Sequence, residues 1–255
     1  TLQNHWKSRL IAATVHLGIS LGLAALAAAL VFGVWYPYPY REISGGRELF
    51  LLIVSVDVVM GPLLTLAVFN QSKPFQELRR DLAIIAVMQL AALSYGLWTV
   101  AVARPVHLVF EVDRFRVVHA IEVDAKRLSE APPQWQKLPL TGPTLASLRD
   151  FKNTEERTQL TFASVDGVEL SERPDMWQSY EKAKSQIIAR ALPLEDLKKR
   201  FPNRVAEIDQ ALKATSQNAS QNYPAGSVIY LPVASRNSTF WTALLDKQTT
   251  EVITF

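Results

Sequence analysis

The sequence predicts a membrane protein with an N-terminal three-helix transmembrane bundle and a C-terminal α+β extracytoplasmic domain. The first observation is three long apolar runs, at residues 11–35, 50–69 and 82–103. Each is long enough to cross the roughly 30 Å hydrocarbon core of a bilayer. The second observation is that no comparable run follows Arg104, where short alternating segments typical of strands begin.

We therefore expect a three-span transmembrane domain at residues 1–103 and a folded domain at 104–255. The spans are expected at about 10–35, 49–70 and 81–103. Basic residues set the orientation, because they prefer the cytoplasmic side of a membrane. They precede the first span and lie between the second and third, namely Lys7, Arg9, Lys73, Arg79 and Arg80. The N-terminus is thus expected in the cytoplasm and the C-terminal domain on the outer side.

The first span ends in an aromatic run at residues 35–40, Trp-Tyr-Pro-Tyr-Pro-Tyr. Aromatic rings with polar tips are favoured at the interface between lipid and water. We interpret these rings as anchors of the helix end.

The second span carries a single carboxylate, Asp57, followed by Gly61 and Pro62. An ionisable group inside a membrane is costly and indicates a function such as transport, proton relay or helix docking. At a rise of roughly 1.5 Å per residue, Asp57 lies about 13 Å below the outer interface. At that depth the third span offers Ser94 and Tyr95, whereas His16 and Gln89 fall nearer the cytoplasmic side. We therefore expect Ser94 and Tyr95 as hydrogen-bond partners and favour a packing or docking role for Asp57. A structural role is expected for His16. Pro62 lacks an N–H group and can free a backbone carbonyl for another contact.

The C-terminal domain begins at Arg104-Pro105, where the proline ends the third helix and the arginine can reach the lipid headgroups. Strands are expected at 106–110, 116–123, 160–165, 228–233, 239–245 and 250–255. Residues 111–115 form either a turn or a continuation of one strand. Helices are expected after Pro174 as far as Ala191, at 194–201 and from Pro202, and loops at 131–143, 166–167 and 215–222. Terminal strands that enclose helices predict an α+β domain in which those strands share a sheet.

Composition excludes several classes of function. There is no cysteine, so disulfides and thiol chemistry are absent. The C-terminal domain carries twenty basic and nineteen acidic residues, and a nearly neutral domain does not suit nucleic-acid binding. The sequence contains no nucleophile elbow, phosphate loop or zinc motif, and its four histidines are scattered. We therefore expect no enzyme activity, no cofactor and no metal site.

Several short motifs occur together in a characteristic order. The second span reads Val-Asp-Val-Val-Met-Gly-Pro-Leu-Leu-Thr at 56–65, and the third contains Gln-Leu-Ala-Ala-Leu-Ser-Tyr-Gly at 89–96. Arg-Pro-Val at 104–106 and Val-Asp-Arg-Phe at 112–115 follow. In this combination the sequence resembles the bacterial type IV pilin accessory proteins of the TfpX/TfpZ kind. The resemblance covers the membrane half closely, fades through 125–223 and partly returns near 230–233.

The resemblance implies a non-enzymatic accessory factor of the bacterial inner membrane, with a periplasmic C-terminal domain. Its expected partners are a cognate type IV major pilin, other parts of the pilus machinery and the lipid bilayer. The bundle would hold the membrane helix of the pilin, and the periplasmic domain would contact the pilin head. The candidate partner-binding residues are Asp57, Gly61, Pro62, Tyr95, Arg104, Asp113 and Arg114.

Two other functions stay open at this point. An extracytoplasmic sensor would need a cytoplasmic output, and the inner loops are only about ten residues long. An ion-coupled transporter subunit could use Asp57, although three spans would need an oligomer.

Overall fold

The structure, a computed structural model, describes residues 2–165, 167–219, 223–224, 226–235 and 241–255. The chain forms two compact units, Thr1–Arg104 and Pro105–Phe255. We call the first the helical unit and the second the sheet unit, and each is described by itself.

Long apolar helices build the helical unit. They are α1 (Leu2–Leu30), the short α2 (Tyr40–Ile43), α3 (Gly46–Val68) and α4 (Phe75–Val102). A π-helical turn, Val31–Trp35, continues α1. Three stretches are long and apolar enough to cross a membrane, namely Trp6–Trp35, Gly46–Val68 and Phe75–Val102. The predicted class of the N-terminal part is confirmed.

Helix α3 is the centre of the helical unit, because α1 and α4 both pack against it. Many large apolar side chains on the three long helices are nevertheless exposed, among them Leu26, Leu52 and Val87. An exposed apolar surface of this extent is unusual in a water-soluble protein and is what a lipid-facing surface requires. The packing of the unit therefore agrees with the composition of its helices.

The aromatic run at residues 35–40 does more than anchor a helix end. Tyr36 is buried, and its hydroxyl donates a hydrogen bond to the Val100 carbonyl oxygen at 3.2 Å. Its ring lies so close to Gly46 that a Cβ atom there would overlap it. Tyr36 thus joins α1 to the start of α3 and the end of α4. Tyr38, in contrast, is exposed and lies beside Arg41, as expected of an interfacial ring.

The sheet unit combines a mixed sheet with short helices. Its strands are β1 (Pro105–Glu111), β2 (Arg114–His119), β3 (Thr144–Leu148), β4 (Trp177–Ser179), β5 (Leu192–Pro193), β6 (Val228–Ala234), β7 (Trp241–Asp246) and β8 (Val252–Thr254). Its α-helices are α5 (Thr154–Val165), α6 (Lys184–Arg190), α7 (Leu194–Arg200) and α8 (Val205–Ala219). The strand order is β4-β3-β1-β2-β6-β7-β8, and β5 also pairs with β6. The N-terminal and C-terminal strands share one sheet, which confirms the predicted α+β class.

Residues 112–113 form the turn of a hairpin between β1 and β2, so the stretch 111–115 is not one continuous strand. The hairpin pairs Glu111 with Arg114, and Val112 at its tip has a φ of 57°. A positive φ is rare for a β-branched side chain, so Val112 holds a strained conformation. The β1 strand lies inside the sheet, with β2 on one side and β3 on the other, and all of its residues are buried.

The prediction of a strand at 160–165 is wrong, because these residues end helix α5. The helix begins after Asn153, whose side-chain oxygen accepts a hydrogen bond from the Glu156 N–H at 2.8 Å. Glu155 and Glu156 in the first turn stabilise the positive end of the helix dipole. Leu160 is buried. The predicted turn at 166–167 falls partly on residue 166, outside the described residues.

Two further boundaries differ from the prediction. Helix α8 continues to Ala219 and so includes the first part of the loop predicted at 215–222, whose residues 220–222 lie outside the described residues. The Thr215 hydroxyl donates a hydrogen bond to the Ala211 carbonyl oxygen within the helix. The predicted helix after Pro174 is interrupted, because residues 177–179 pair with β3 as strand β4. Trp177 is buried there, and its indole N–H donates to the Ser171 carbonyl oxygen at 2.7 Å. Burial of this large ring outweighs the helical spacing of its neighbours.

Candidate functional site

A pocket of about 160 Å³ opens among the three long helices of the helical unit. Four residues of α1, one of α3 and three of α4 line it, namely His16, Ile19, Ser20, Leu23, Asp57, Ala86, Gln89 and Leu90. Polar side chains are expensive inside a membrane and usually mark a functional site there. The pocket is therefore the candidate functional site of the helical unit.

Asp57 is half-buried in this pocket, but its neighbours are not those expected from depth alone. Gln89 and His16 line the pocket with it. Tyr95 is 69% exposed and lies beside the ring of Trp98, at 5.8 Å between centroids, and Ser94 is also exposed. The expected partners were at the depth of Asp57 along the helix axis, but they point in another direction around the axis of α4.

The face of α4 that meets α3 has a helical spacing that the sequence already contains. Its buried or half-buried members include Ile85, Gln89, Gly96 and Val100. Gly96 lies against the side chain of Ile53 on α3. Residues four apart share one face of a helix, so a prediction from Ile85 would have selected Gln89 and not Tyr95.

Gln89 contacts α3 at the Gly61-Pro62 pair. Its side-chain amide donates a hydrogen bond to the main-chain carbonyl oxygen of Asp57 at 3.1 Å. The amide lies where a Cβ atom on residue 61 would overlap it, so only glycine leaves space for this contact. Pro62 has no N–H to offer the Val58 carbonyl, and α3 nevertheless continues through it. The amide of α4 thus supports α3 close to the point where proline weakens its hydrogen-bond ladder.

His16 links α1 to α3. Its ring nitrogen Nδ1 and the hydroxyl of the buried Thr65 share a short hydrogen bond. His16 was expected to have a structural role, and this contact provides one. It also lines the same pocket as Asp57, a neighbourhood that the separation in depth did not predict. Within the described ranges, no group of three His, Cys, Asp or Glu side chains is placed to hold a metal ion.

The remaining predicted site residues outside α3 and α4 are not part of the pocket lining. Arg104 donates a hydrogen bond from Nη1 to the Ala101 carbonyl oxygen at 2.6 Å, and so caps the end of α4. Arg114 and Asp113 belong to the sheet unit, at the tip of the β1–β2 hairpin, and both are about half exposed. Arg114 Nε lies 2.8 Å from Asp113 Oδ1, and this bond lowers the pKa of the Asp113 carboxyl. The pair is an accessible charged feature beside the exposed Val112.

We expect Gln89→Leu to lower the free energy of unfolding of the detergent-solubilised protein by about 1 kcal/mol, because it removes the hydrogen bond between α3 and α4. Gly61→Ala displaces the Gln89 amide and removes the same bond, but it should lower the free energy of unfolding by less, because alanine favours a helix. The double variant should be no less stable than the worse single variant. Gly22→Ala is the control, since no atom lies near a Cβ there and alanine favours a helix. Additive losses in a double-mutant cycle would show that the two residues do not act through one contact.

Comparisons with known proteins place the chain in a family. Residues 4–45 match the family model described as fimbrial assembly protein FimB. The fimbrial assembly proteins of serogroups I and E1 of Dichelobacter nodosus are 36% and 34% identical to this chain, each over 91% of it and 89% of the relative. The protein of serogroups C1 and C2 is 42% identical over 46% of this chain. No solved structure matches the chain significantly. Because these similarities extend over almost its whole length, the chain belongs to the family of fimbrial assembly proteins.

Proposed function

We propose that the protein is a non-enzymatic accessory factor of the bacterial inner membrane, which binds a cognate type IV pilin and assists its assembly into a pilus. The names of its relatives and the resemblance to type IV pilin accessory proteins support the assembly role. The observation that carries the proposal is the pocket around Asp57, where polar side chains lie in a mainly apolar lining, within a unit built of helices long enough to cross a membrane.

Helices recognise one another differently in water and in lipid. The hydrophobic effect provides little attraction between helices there, so recognition depends on close packing and hydrogen bonds. A pilin awaiting assembly has one apolar helix in the bilayer and a globular head outside it. The pocket between α1, α3 and α4 supplies polar groups for the helix. The hairpin with Asp113 and Arg114 supplies an accessible charged surface for the head.

This proposal includes an orientation, with the N-terminus in the cytoplasm and the sheet unit in the periplasm. We expect a membrane-impermeant thiol reagent to label Lys152→Cys in cells with a permeable outer membrane, and Ser72→Cys only after lysis. Both positions are exposed, and the natural chain contains no cysteine that could react instead. The reverse pattern of labelling would contradict the orientation.

Deletion of the gene tests the assembly role in the organism that carries it. We expect far fewer surface pili, with normal amounts of pilin in the cell, and recovery when the intact chain is supplied. Sheared pili and total pilin are compared by immunoblot. Normal piliation in the deletion strain would contradict the proposal.

A further inference from the structure

The pocket opens between α1 and α4, over the central helix α3, and we call this opening the groove. Both flanking helices pack on α3, and α4 approaches the π-helical end of α1, where Tyr36 bonds Val100. The rim of the pocket includes the exposed apolar side chains of Ile19 and Leu90. The helical unit therefore presents an apolar groove with polar groups at its base.

The polar groups at the base are partly engaged within the chain. Gln89 donates to the main-chain carbonyl oxygen of Asp57, and His16 is joined to Thr65. Among the described residues of the helical unit, the ion pairs involve Glu42, Glu48 and Asp81 as acids, and not Asp57. Gln89 also lies within hydrogen-bonding reach of the Asp57 carboxyl group. A carboxylate has two oxygen atoms that can accept several hydrogen bonds, so it can still accept a further one from a donor outside the chain.

The size of the pocket limits what can enter it. At about 160 Å³ it is close to a cavity of roughly 150 Å³ that holds one benzene molecule. One side chain fits this volume, whereas a whole helix does not. A helix backbone can instead lie along the groove and insert a single side chain. A hydroxyl or amide group would satisfy the carboxyl group without bringing a second charge into the membrane.

We propose that the groove between α1 and α4 holds the apolar membrane helix of the pilin, and that one hydroxyl or amide side chain of that helix enters the pocket and donates a hydrogen bond to Asp57. This inference rests on the proposed function and adds to it the face of the helical unit and the chemistry of the contact.

Photocrosslinking from matched positions in living cells tests the face. A photoreactive residue at Leu23 or Leu90 lies in the pocket lining, whereas Leu21 and Met88 are exposed but two residues away, about 200° around each helix. We expect pilin to be captured from Leu23 and Leu90 at least about fivefold more than from Leu21 and Met88. Capture mainly from Leu21 and Met88, or capture of lipid alone from Leu23 and Leu90, would overturn the proposal that the pilin helix lies in the groove. A photoreactive residue at Arg114 in the sheet unit distinguishes a wrong groove from a wrong function. If pilin is captured at Arg114 but at none of the four helix positions, the groove is wrong and the proposed function stands. If no pilin is captured at any position, the proposed function is wrong as well.

Two substitutions test the chemistry, each with its protein level checked. Asp57→Leu removes the acceptor and should lower capture from Leu23 by about five- to thirtyfold, the range expected for one hydrogen bond between membrane helices. Asp57→Asn keeps a carbonyl oxygen and should retain at least about half of the capture. Equal losses in both variants would show that the contact requires a charge, and would overturn a hydroxyl or amide donor. Unchanged capture in both variants would overturn any contact with Asp57.

Discussion

Replacing Asp57 by leucine is expected to reduce the number of surface pili by about fivefold or more, while the variant reaches the membrane in normal amounts. The carboxyl group lies in a pocket among helices that pack mainly through apolar side chains. Loss of one hydrogen bond between membrane helices weakens their association by about 1 to 2 kcal/mol, which is a factor of about five to thirty in an equilibrium constant. Sheared pili are quantified against total pilin.

Ser55→Leu is the matched control for this change. Ser55 lies on the same helix, is exposed, and its hydroxyl donates a hydrogen bond to the Leu52 carbonyl oxygen within α3. This substitution should leave piliation near normal, because it removes no contact between helices. If Asp57→Leu and Ser55→Leu reduce piliation equally, the effect arises from changed hydrophobicity of α3 and not from the pocket.

Acidification from about pH 6.5 to pH 4 is expected to destabilise the sheet unit by about 3 kcal/mol through His107 alone. His107 is buried on β1, its ring lies 4.5 Å from that of Trp177 and 5.2 Å from that of Trp135, and Nδ1 bonds the Thr144 hydroxyl at 2.8 Å. Burial disfavours the charged ring and lowers the pKa of His107 to about 4. Within this range the unfolded chain binds more protons than the native chain, so the free energy of unfolding falls as the pH falls.

The variant His107→Gln should flatten this pH dependence in the intact protein in detergent, followed by tryptophan fluorescence during denaturation. Glu156→Gln provides the control, because Glu156 titrates in a lower range. Its hydrogen bond with Arg149 holds the pKa of Glu156 at about 2, so its stabilisation is present above about pH 4.5 and is lost between there and pH 2. The control should therefore keep the slope between pH 4.5 and 6.5. An unchanged slope in His107→Gln would contradict the assignment.

Sequence patterns were sufficient for the parts of the fold that depend on length and alternation. Three apolar runs gave three membrane-length helices, and the short alternating run at 106–110 gave the buried strand β1. The patterns failed where a local contact decided the structure. Residues 160–165 belong to a helix that begins after the Asn153 cap. Residues 177–179 form a strand although their spacing is helical, because the Trp177 ring is buried and its indole N–H is hydrogen-bonded. Such contacts join residues whose proximity is known only after the chain has folded.

The positions of the candidate site residues divide in the same way. The sequence marks Asp57 and the Gly61-Pro62 pair as unusual features of α3, and in the structure Asp57 lines the pocket and Gly61 contacts Gln89. Their role in partner binding stays a prediction. Tyr95 was selected for its depth, and it proves to be exposed beside Trp98. His16 and Gln89 were assigned to another level because side-chain reach and the direction around each helix were not considered. A helical-wheel comparison of α4 would have found Gln89, whereas the His16–Thr65 bond required the packing of α1 on α3.

The most direct test of the account is to identify what the intact protein touches in the cell. A photoreactive residue is placed at Leu90 in the helical unit and, in a second strain, at Arg114 in the sheet unit, and the captured proteins are identified by mass spectrometry. The account predicts that type IV pilin is the main protein captured at both positions. Capture of other proteins without pilin at both positions would contradict it.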